Sequence, residues 1–476
     1  MNVIFVHGWS DQPKSMVRVA EGLRSAGLTG VNEYYFGYRS RDDEATIADY
    51  AEGLHIWLKK HQLLDPSDEK VRGDKNLAIR RNLHFITHST GALVVRQWMM
   101  QYAWVRAADR VATICFLAPA NFGSPLAHKG KSFLGKLSKG IRELRDFGET
   151  GRRTLEALEL ASPAQWRLAD FDLFGANGTI YGKNGVRASV ITGASGYGGL
   201  RAFVNEDGTD GTIVVSGAGL SCRKFSVDFA SGRRYADWIK PRGGQPDVPL
   251  LVLSEPNHSS ILDLGDNPLL AKYVKDTLRS TAKTYDNLFK QFRDETTRQV
   301  REVDTKDGRR ERYQQFVFHL LDDRWDPIPD YFIEFGAWQR DRIDANARYP
   351  TPTRLPSGKL PKRRKGEIKT SEKIGEHFRM NGRAHSVDSS FRRFLMSPAE
   401  IDRLLGDEYV LTLQVAADSG DEDIVYDTAR FDSVQVYDPK KTGVISWVFP
   451  DTTTLIEMKV DRYTRRITRL IKGRLA

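Results

Sequence analysis

One stretch near residue 90 constrains the fold more than any other part of the chain. The apolar run of residues 83–86 leads into Thr87-His88-Ser89-Thr90-Gly91, and a helix-forming run follows at residues 92–99. This order predicts a strand, a sharp turn with Ser89 at its tip, and a helix. The N-terminus of that helix would place backbone N–H groups and a positive dipole end beside the serine hydroxyl. A serine in an ordinary strand-to-helix turn is the alternative interpretation.

Three other segments share one form, an apolar strand that runs into a polar loop: residues 2–10, 188–215 and 248–262. The first loop begins His7-Gly8, the second contains Asp207 and Asp210, and the third contains His258. Between the acidic loop and His319 the chain has no other histidine. Each loop also has an ordinary interpretation: a His-Gly turn after an edge strand, an Asp-Gly turn that opens a strand, or a surface histidine.

The chain order of Ser89, Asp210 and His258 resembles that of the α/β-hydrolase superfamily, in which nucleophile, acid and base follow in this sequence. The resemblance is to lipases and carboxylesterases with a His-Gly loop after an early strand and an Asp-Gly-Thr acid loop. Residues 116–125, which end in Gly-Ser-Pro, are similar to a turn that such lipases often carry. The resemblance to these enzymes covers residues 1 to about 285. The sequence departs from the pattern at Thr87, where the family usually has glycine.

The resemblance implies a role for each of these residues. Ser89 would be the nucleophile, His258 the general base and then acid, and Asp210 the group that orients His258. The backbone amides of Trp9 and Thr90 would form the oxyanion hole. Asp210 is preferred to Asp207 because Gly-Thr and an aliphatic pair follow it. No cofactor and no metal are expected at this site.

A chain of 476 residues exceeds one ordinary hydrophobic core, so two domains are expected. We predict an α/β domain at residues 1–298 with the doubly wound, mostly parallel sheet of an α/β-hydrolase. A cap or lid insertion is predicted at about 128–186. Residues 299–476 contain alternating, β-branched and aromatic runs separated by turn signals, which favours a β-sandwich-like accessory domain. This part of the chain resembles no family known to us.

Composition bears on where the protein acts. No run of about 18 apolar residues is present, so no transmembrane helix is expected. The two cysteines, Cys115 and Cys222, indicate no disulfide framework. An apolar strand begins at Asn2 without a charged leader before it, so we expect synthesis in the cytoplasm without a signal peptide. Export by a signal-independent route, as for a bacterial effector, and action at a membrane surface are left open.

The net charge of +10 favours anionic partners, including an anionic membrane surface. Residues 129–145 predict a basic amphipathic helix, either an interfacial lid or a cap helix with a solvated basic face. Residues 355–369 form a second basic run, interpreted as a mobile solvated loop or as a contact for anionic lipid or an acidic protein. Nucleic acid is not expected as a partner, because this run lacks interleaved aromatic residues.

Two acidic clusters occur in the C-terminal part: Asp322, Asp323, Asp326 and Asp330, and Asp418, Asp421, Glu422 and Asp423. Charged hairpin tips are the favoured interpretation, and a Ca²⁺ site is the weaker one.

Together these features predict a serine ester hydrolase that acts on lipids, a phospholipase or lipase. A soluble carboxylesterase or thioesterase is the second hypothesis. A non-catalytic scaffold that binds a protein partner through its C-terminal domain is the third.

Overall fold

The computed structural model describes residues 1–64, 81–128, 150–199, 202, 205–230, 235–304, 312–344, 351–357, 359–421, 423–426, 434–440 and 446–464. The basic amphipathic helix predicted at residues 129–145 lies outside these residues. By internal contacts the chain forms two compact units. The first comprises Met1–Cys222, Lys240–Tyr313 and Asp451–Thr453, and the second comprises Arg223–Ile239, Gln314–Pro450 and Thr454–Ala476. The predicted boundary near residue 298 did not include the excursion of residues 223–239 into the second unit.

The strands are β1 Asn2–Val6, β2 Asn32–Phe36, β3 Leu83–His88, β4 Val111–Leu117, β5 Arg187–Gly193, β6 Arg223–Asp228, β7 Tyr235–Trp238, β8 Leu250–Leu253, β9 Gln314–Asp322, β10 Tyr331–Gln339, β11 Ile343–Asp344, β12 Thr351–Pro352, β13 Arg383–Ala384, β14 Phe391–Met396, β15 Tyr409–Ala417, β16 Ile424–Tyr426, β17 Val434–Tyr437, β18 Thr453–Val460 and β19 Arg462–Thr464. The α-helices are α1 Pro13–Ser25, α2 Ile47–Lys60, α3 Gly91–Gln101, α4 Pro125–His128, α5 Arg152–Leu158, α6 Pro163–Asp172, α7 Val215–Ala218, α8 Pro268–Leu278, α9 Tyr285–Asp304, α10 Lys365–Asn381 and α11 Pro398–Leu405.

The first unit is built on a six-stranded sheet in the order β2-β1-β3-β4-β5-β8. Every neighbouring pair in it is parallel. All seven residues of β4 are buried, as expected for a parallel sheet that is covered on both faces. Because the carboxyl ends of parallel strands meet at one edge, the loops after β1, β3, β5 and β8 converge there. The predicted doubly wound parallel sheet is confirmed.

Several helices begin at short local signals. Thr46 caps α2, where its side chain accepts from the Asp49 amide while the Asp49 carboxylate accepts from the Thr46 amide. Helices α6, α8 and α11 begin with proline directly after a capping Ser or Asn. Proline fits the first helical position because its missing N–H has no partner there in any case.

The second unit contains a six-stranded sheet, β13-β14-β9-β18-β6-β7, and a three-stranded antiparallel sheet, β10-β15-β17. Strands from both sheets contribute to one hydrophobic core, in which Trp447 lies 4.9 Å from Phe225 and 6.1 Å from Phe316 between ring centroids. Two sheets that share a core form a β-sandwich arrangement, which confirms the predicted fold class. Helix α10 packs against this core through Ile374 and Phe378.

The basic run at residues 355–369 differs from the predicted loop. Helix α10 begins at Lys365, and the Glu367 carboxylate accepts from the Arg364 amide at its start. Arg363 pairs with Glu334, and Arg342 pairs with Glu367. The high positive charge of this run hid the helical pattern in the sequence. In the structure, ion pairs such as Arg363–Glu334 neutralise part of that charge.

Candidate active site

Ser89 lies at the tip of a sharp turn between β3 and α3. Its φ is 52°, in the left-handed region that few residues other than glycine adopt. Its amide donates to the Leu117 carbonyl at 3.1 Å, and its carbonyl accepts from the Ala120 amide at 3.3 Å. The loop after the neighbouring strand β4 therefore holds the turn on both sides. The strained conformation directs the Ser89 side chain out of the sheet, where it lines a cavity.

The first strand and the turn approach each other closely at Gly91. A Cβ at this position would lie 2.6 Å from the Val6 carbonyl oxygen and 2.7 Å from that of His7. Only glycine fits there. Thr87, by contrast, is fully buried in β3 and pairs with Val6 in β1 and Phe116 in β4. The threonine that departs from the usual motif is therefore accommodated within the sheet.

Asp210 and His258 form a hydrogen-bonded pair. The Asp210 Oδ2 atom lies 2.9 Å from His258 Nδ1, and the Asp210 carbonyl accepts from the His258 amide at 2.9 Å. The second carboxylate oxygen of Asp210 accepts from the amides of Thr212 and Ile213 at 3.0 and 2.7 Å. Asp210 is fully buried, so its charge is held by three donors and has no contact with water. Asp207 is exposed.

The loop after β1 lies against the Ser89 turn. A Cβ on Gly8 would lie 2.8 Å from the Ser89 Cβ, so the Gly8 backbone packs directly against the Ser89 side chain. Trp9 and Thr90 both line the cavity that contains Ser89 and His258. In the described part of the chain, neither the Trp9 nor the Thr90 amide donates a hydrogen bond to another protein group. Four of the five residues singled out in the sequence therefore line one cavity, and the fifth, Asp210, is buried and hydrogen-bonded to His258.

His7 is fixed by a residue that sequence reasoning missed. Its ring stacks on Tyr38 with centroids 4.4 Å apart, and its Nε2 accepts from the Tyr38 amide at 3.3 Å. The proton is then on Nδ1, which donates to the Gly8 carbonyl at 2.8 Å. Burial lowers the pKa of His7, which keeps the ring neutral. Tyr38 Oη in turn donates to the His7 carbonyl.

Sequence reasoning also missed a buried ion pair behind the turn. Arg96 in α3 donates to both carboxylate oxygens of Asp172 in α6 at 2.7 and 3.0 Å, and both side chains are fully buried. Arg96 also contacts Asn121, and Tyr181 donates to Asp172 at 2.9 Å. One sequence signal was available: Arg96 directly follows the apolar residues 92–95 of the helical run, as expected of a buried, paired arginine.

The cavity has a volume of about 240 Å³. One part of its wall is apolar and includes Leu126, Ala127, Leu155, Leu158, Ile213 and Leu262, and the other part is polar and includes Ser10, Asp11, Arg18, Tyr197, Thr212 and Ser259. Helix α5, within the predicted cap, supplies Leu155 and Leu158.

The Ser89 hydroxyl makes no hydrogen bond to His258 in this arrangement. Such bonds are often long without substrate and shorten when it binds.

The chain was compared with known proteins. No protein-family model matches it, and no curated protein matches it. Its structure is similar to that of phospholipase PlaB from Legionella pneumophila, with a TM-score of 0.76, 21% sequence identity, and coverage of 100% of this chain and 96% of that one. The chain has the α/β-hydrolase fold. A second structure, of PlaB in complex with thio-NAD, has a TM-score of 0.73 at 21% identity, covering 100% of this chain and 97% of the other.

Two further predictions concern metals and membranes. Among the described residues, no group of three or more His, Cys, Asp or Glu residues is placed to hold a metal ion. Asp322 and Asp326 both accept from Arg462 at 3.2 Å, and Asp418 accepts from the Gly420 amide. The calcium site stays a prediction. Within the described ranges, no helix is long and apolar enough to cross a membrane.

Proposed function

We propose that this protein is a serine hydrolase that cleaves acyl esters of lipids, with phospholipids as its principal substrates. The observation that carries the proposal is the Asp210–His258 pair in a wall of the cavity that also contains Ser89 on its strained turn. A phospholipase of the same fold, similar over the full length of the chain, supports the choice of substrate. The net charge of +10 supports action at an anionic membrane surface.

The reaction would proceed by two acyl transfers. Ser89 Oγ attacks the ester carbonyl carbon while His258 Nε2 takes the hydroxyl proton, and the Asp210 carboxylate stabilises the imidazolium. The carbonyl oxygen becomes an oxyanion that accepts from the Trp9 and Thr90 amides. His258 then returns the proton to the leaving alcohol, which departs and leaves an acyl-Ser89. Water attacks this ester in the same way and releases the fatty acid.

The size of the cavity supports a second candidate, a carboxylesterase or thioesterase of soluble substrates. A volume of about 240 Å³ lies below the range of about 300 to 1,000 Å³ that is usual for ligand pockets. A short acyl chain would fit this space without further opening.

One experiment separates these functions. Hydrolysis of mixed phosphatidylcholine–phosphatidylglycerol vesicles and of a short-chain p-nitrophenyl ester is measured for wild type and Ser89→Ala. We expect wild type to cleave both substrates and the variant to cleave neither. Cleavage of the soluble ester alone would favour the carboxylesterase. No cleavage of either, or equal activity of the variant, would contradict the proposed function and leave a binding scaffold.

A further inference from the structure

His88, the residue before Ser89, contacts the loop that carries His258. Its Nε2 atom lies 3.0 Å from the His258 carbonyl oxygen, and the two imidazole rings are 4.8 Å apart between centroids. His88 is only 6% exposed. A carbonyl oxygen can only accept, so Nε2 must carry the proton and donate it. The last residue of β3 thus donates a hydrogen bond across to the loop after β8.

With this bond, the backbone amide, the backbone carbonyl and the Nδ1 atom of His258 all have a hydrogen-bond partner. The His258 amide donates to the Asp210 carbonyl at 2.9 Å, and its Nδ1 contacts the Asp210 carboxylate. The His258 carbonyl is the remaining backbone group, and His88 is its donor. Rotation of the His258 peptide would move the imidazole, so the bond from His88 bears directly on where Nε2 of His258 points.

The surroundings of His88 keep it in a single neutral form. Its Nδ1 is buried and has no hydrogen-bond partner in the described part of the chain. The nearest acidic group, Asp11 Oδ2, lies 4.0 Å from it. Burial lowers the pKa of His88 strongly, the nearby His258 lowers it further, and the charges of Asp11 and Asp210 oppose this in part. With the ring neutral, the one proton stays on Nε2.

His88 also supports the oxyanion loop. A Cβ on Gly8 would lie 3.3 Å from His88 Nδ1, so the Gly8 backbone packs on the imidazole. One side chain therefore contacts two loops that come from different strands, while its backbone precedes the nucleophile.

We infer that His88 is a positioning residue, whose Nε2–H···O=C bond to His258 sets the orientation of the general base toward Ser89. The inference rests on the proposed function, because it assigns His88 a role in that reaction. His88 bonds to the backbone carbonyl of His258, so its effect on the reaction passes through His258.

Two substitutions separate the hydrogen bond from the ring contact. His88→Gln keeps a neutral N–H donor at a similar distance from the backbone but has no ring. His88→Phe keeps a ring of similar size but has no donor. If the bond positions His258, the glutamine variant should retain activity and the phenylalanine variant should lose it.

The measurements are kcat and KM on a short-chain ester and the rate at which a fluorophosphonate labels Ser89. For His88→Phe we expect kcat and the labelling rate to fall about 10- to 100-fold with KM nearly unchanged, the cost of a misplaced catalytic group. For His88→Gln we expect both to stay within about threefold of wild type, because the donor is kept. The control is His84→Phe. His84 lies in the same strand as His88, and its substitution removes a hydrogen bond to Thr113. This variant should leave both rates unchanged.

The fraction of protein labelled at saturation reports folding separately from rate. Full labelling at a slow rate supports the inference. Should His88→Phe label incompletely, His88→Met, which also lacks a donor, replaces it in the comparison. Equal rates for the glutamine variant and the donor-free variant would overturn the inference. If wild type itself is not labelled at Ser89, the proposed function fails first, and that result is distinct.

Discussion

Ser89 adopts a backbone conformation that most residues avoid, and the cost is of the order of 1 to 3 kcal/mol. The bonds to Leu117 and Ala120 and the close approach of Gly91 to β1 hold it there. Because several contacts are needed to hold Ser89 in this conformation, the turn keeps a strained backbone geometry at a cost in folding stability. The sequence pattern identified this turn, because strand, turn and helix signals are all local.

Asp210 offers a test at the level of one carboxylate. Asp210→Asn should lower kcat on a short-chain ester by about 10³- to 10⁴-fold, because an amide at this position favours the wrong His258 tautomer. Asp207→Asn is the matched control three residues earlier, where the side chain is exposed, and it should match wild type. Similar losses in both variants would contradict the choice of Asp210.

His84 predicts how stability depends on pH. Burial lowers its pKa to about 4, whereas in the unfolded chain the value is about 6.5. Between these values the unfolded chain binds more protons, so this contribution is complete above about pH 6.5 and is lost as the pH falls toward 4. Urea midpoints at pH 7.5 and 5.0 measure it. His84→Phe cannot titrate at this position, so between these two pH values its unfolding free energy should fall by about 2 kcal/mol less than that of wild type. An equal fall in both would contradict it.

At the scale of elements, the site depends on how closely α3 and β1 approach. Gly91→Ala should destabilise the protein by about 1 to 3 kcal/mol or more, since backbone atoms obstruct the new methyl group. Ser89 labelling should slow as well, because the turn must shift.

The control is Gly53→Ala in α2, where the nearest atom to a new Cβ is a Phe36 ring carbon at 3.8 Å. This variant should be neutral or more stable by up to about 1 kcal/mol, because alanine favours the helix. Thermal unfolding of the two variants decides the point, and a stable Gly91→Ala would show that α3 can move away from β1.

Elements with a clear hydrophobic period were predictable, whereas those defined by distant partners were not. The alternating and β-branched runs that predicted a β-rich C-terminal domain include β9, β10, β15 and β18. Helix α10 was missed because its basic N-terminal turn masks the apolar face that contains Ile374 and Phe378. The polar support of His7 by Tyr38 was missed as well, since two residues far apart in sequence give no local signal.

At the scale of the whole molecule, the second unit depends on two strands from an early part of the chain. Strands β6 and β7 complete a sheet whose other members follow residue 313, and β6 pairs in parallel with β18. Neither strand was predicted from the sequence, and neither was its place in this sheet. Long-range pairing is a property of the folded sheet, and a single sequence does not reveal it.

Truncation tests this dependence. A chain that ends at residue 313 leaves the β6–β7 hairpin without β18 and exposes Phe225 and Val227 on an open strand edge. We expect it to aggregate. A second chain that also replaces residues 223–239 with Gly-Ser should be less aggregated, because Lys224 and Ile239 are hydrogen-bonded and their ends are already close. Size-exclusion chromatography with light scattering compares them. A monodisperse first chain would contradict the expectation.

The pairing of β6 with β18 also has a consequence for biosynthesis. The ribosome releases β6 well before Thr454 is made, and at about 5 to 20 residues per second the hairpin waits on the order of tens of seconds for its neighbour. During that interval its apolar face is available to chaperones. For the same reason, a genetic crossover between residues 239 and 453 would give a chain in which β6 and β7 come from one parental sequence and β18 from the other. The second unit is therefore expected to be inherited together with residues 1–239, which contain its first two strands.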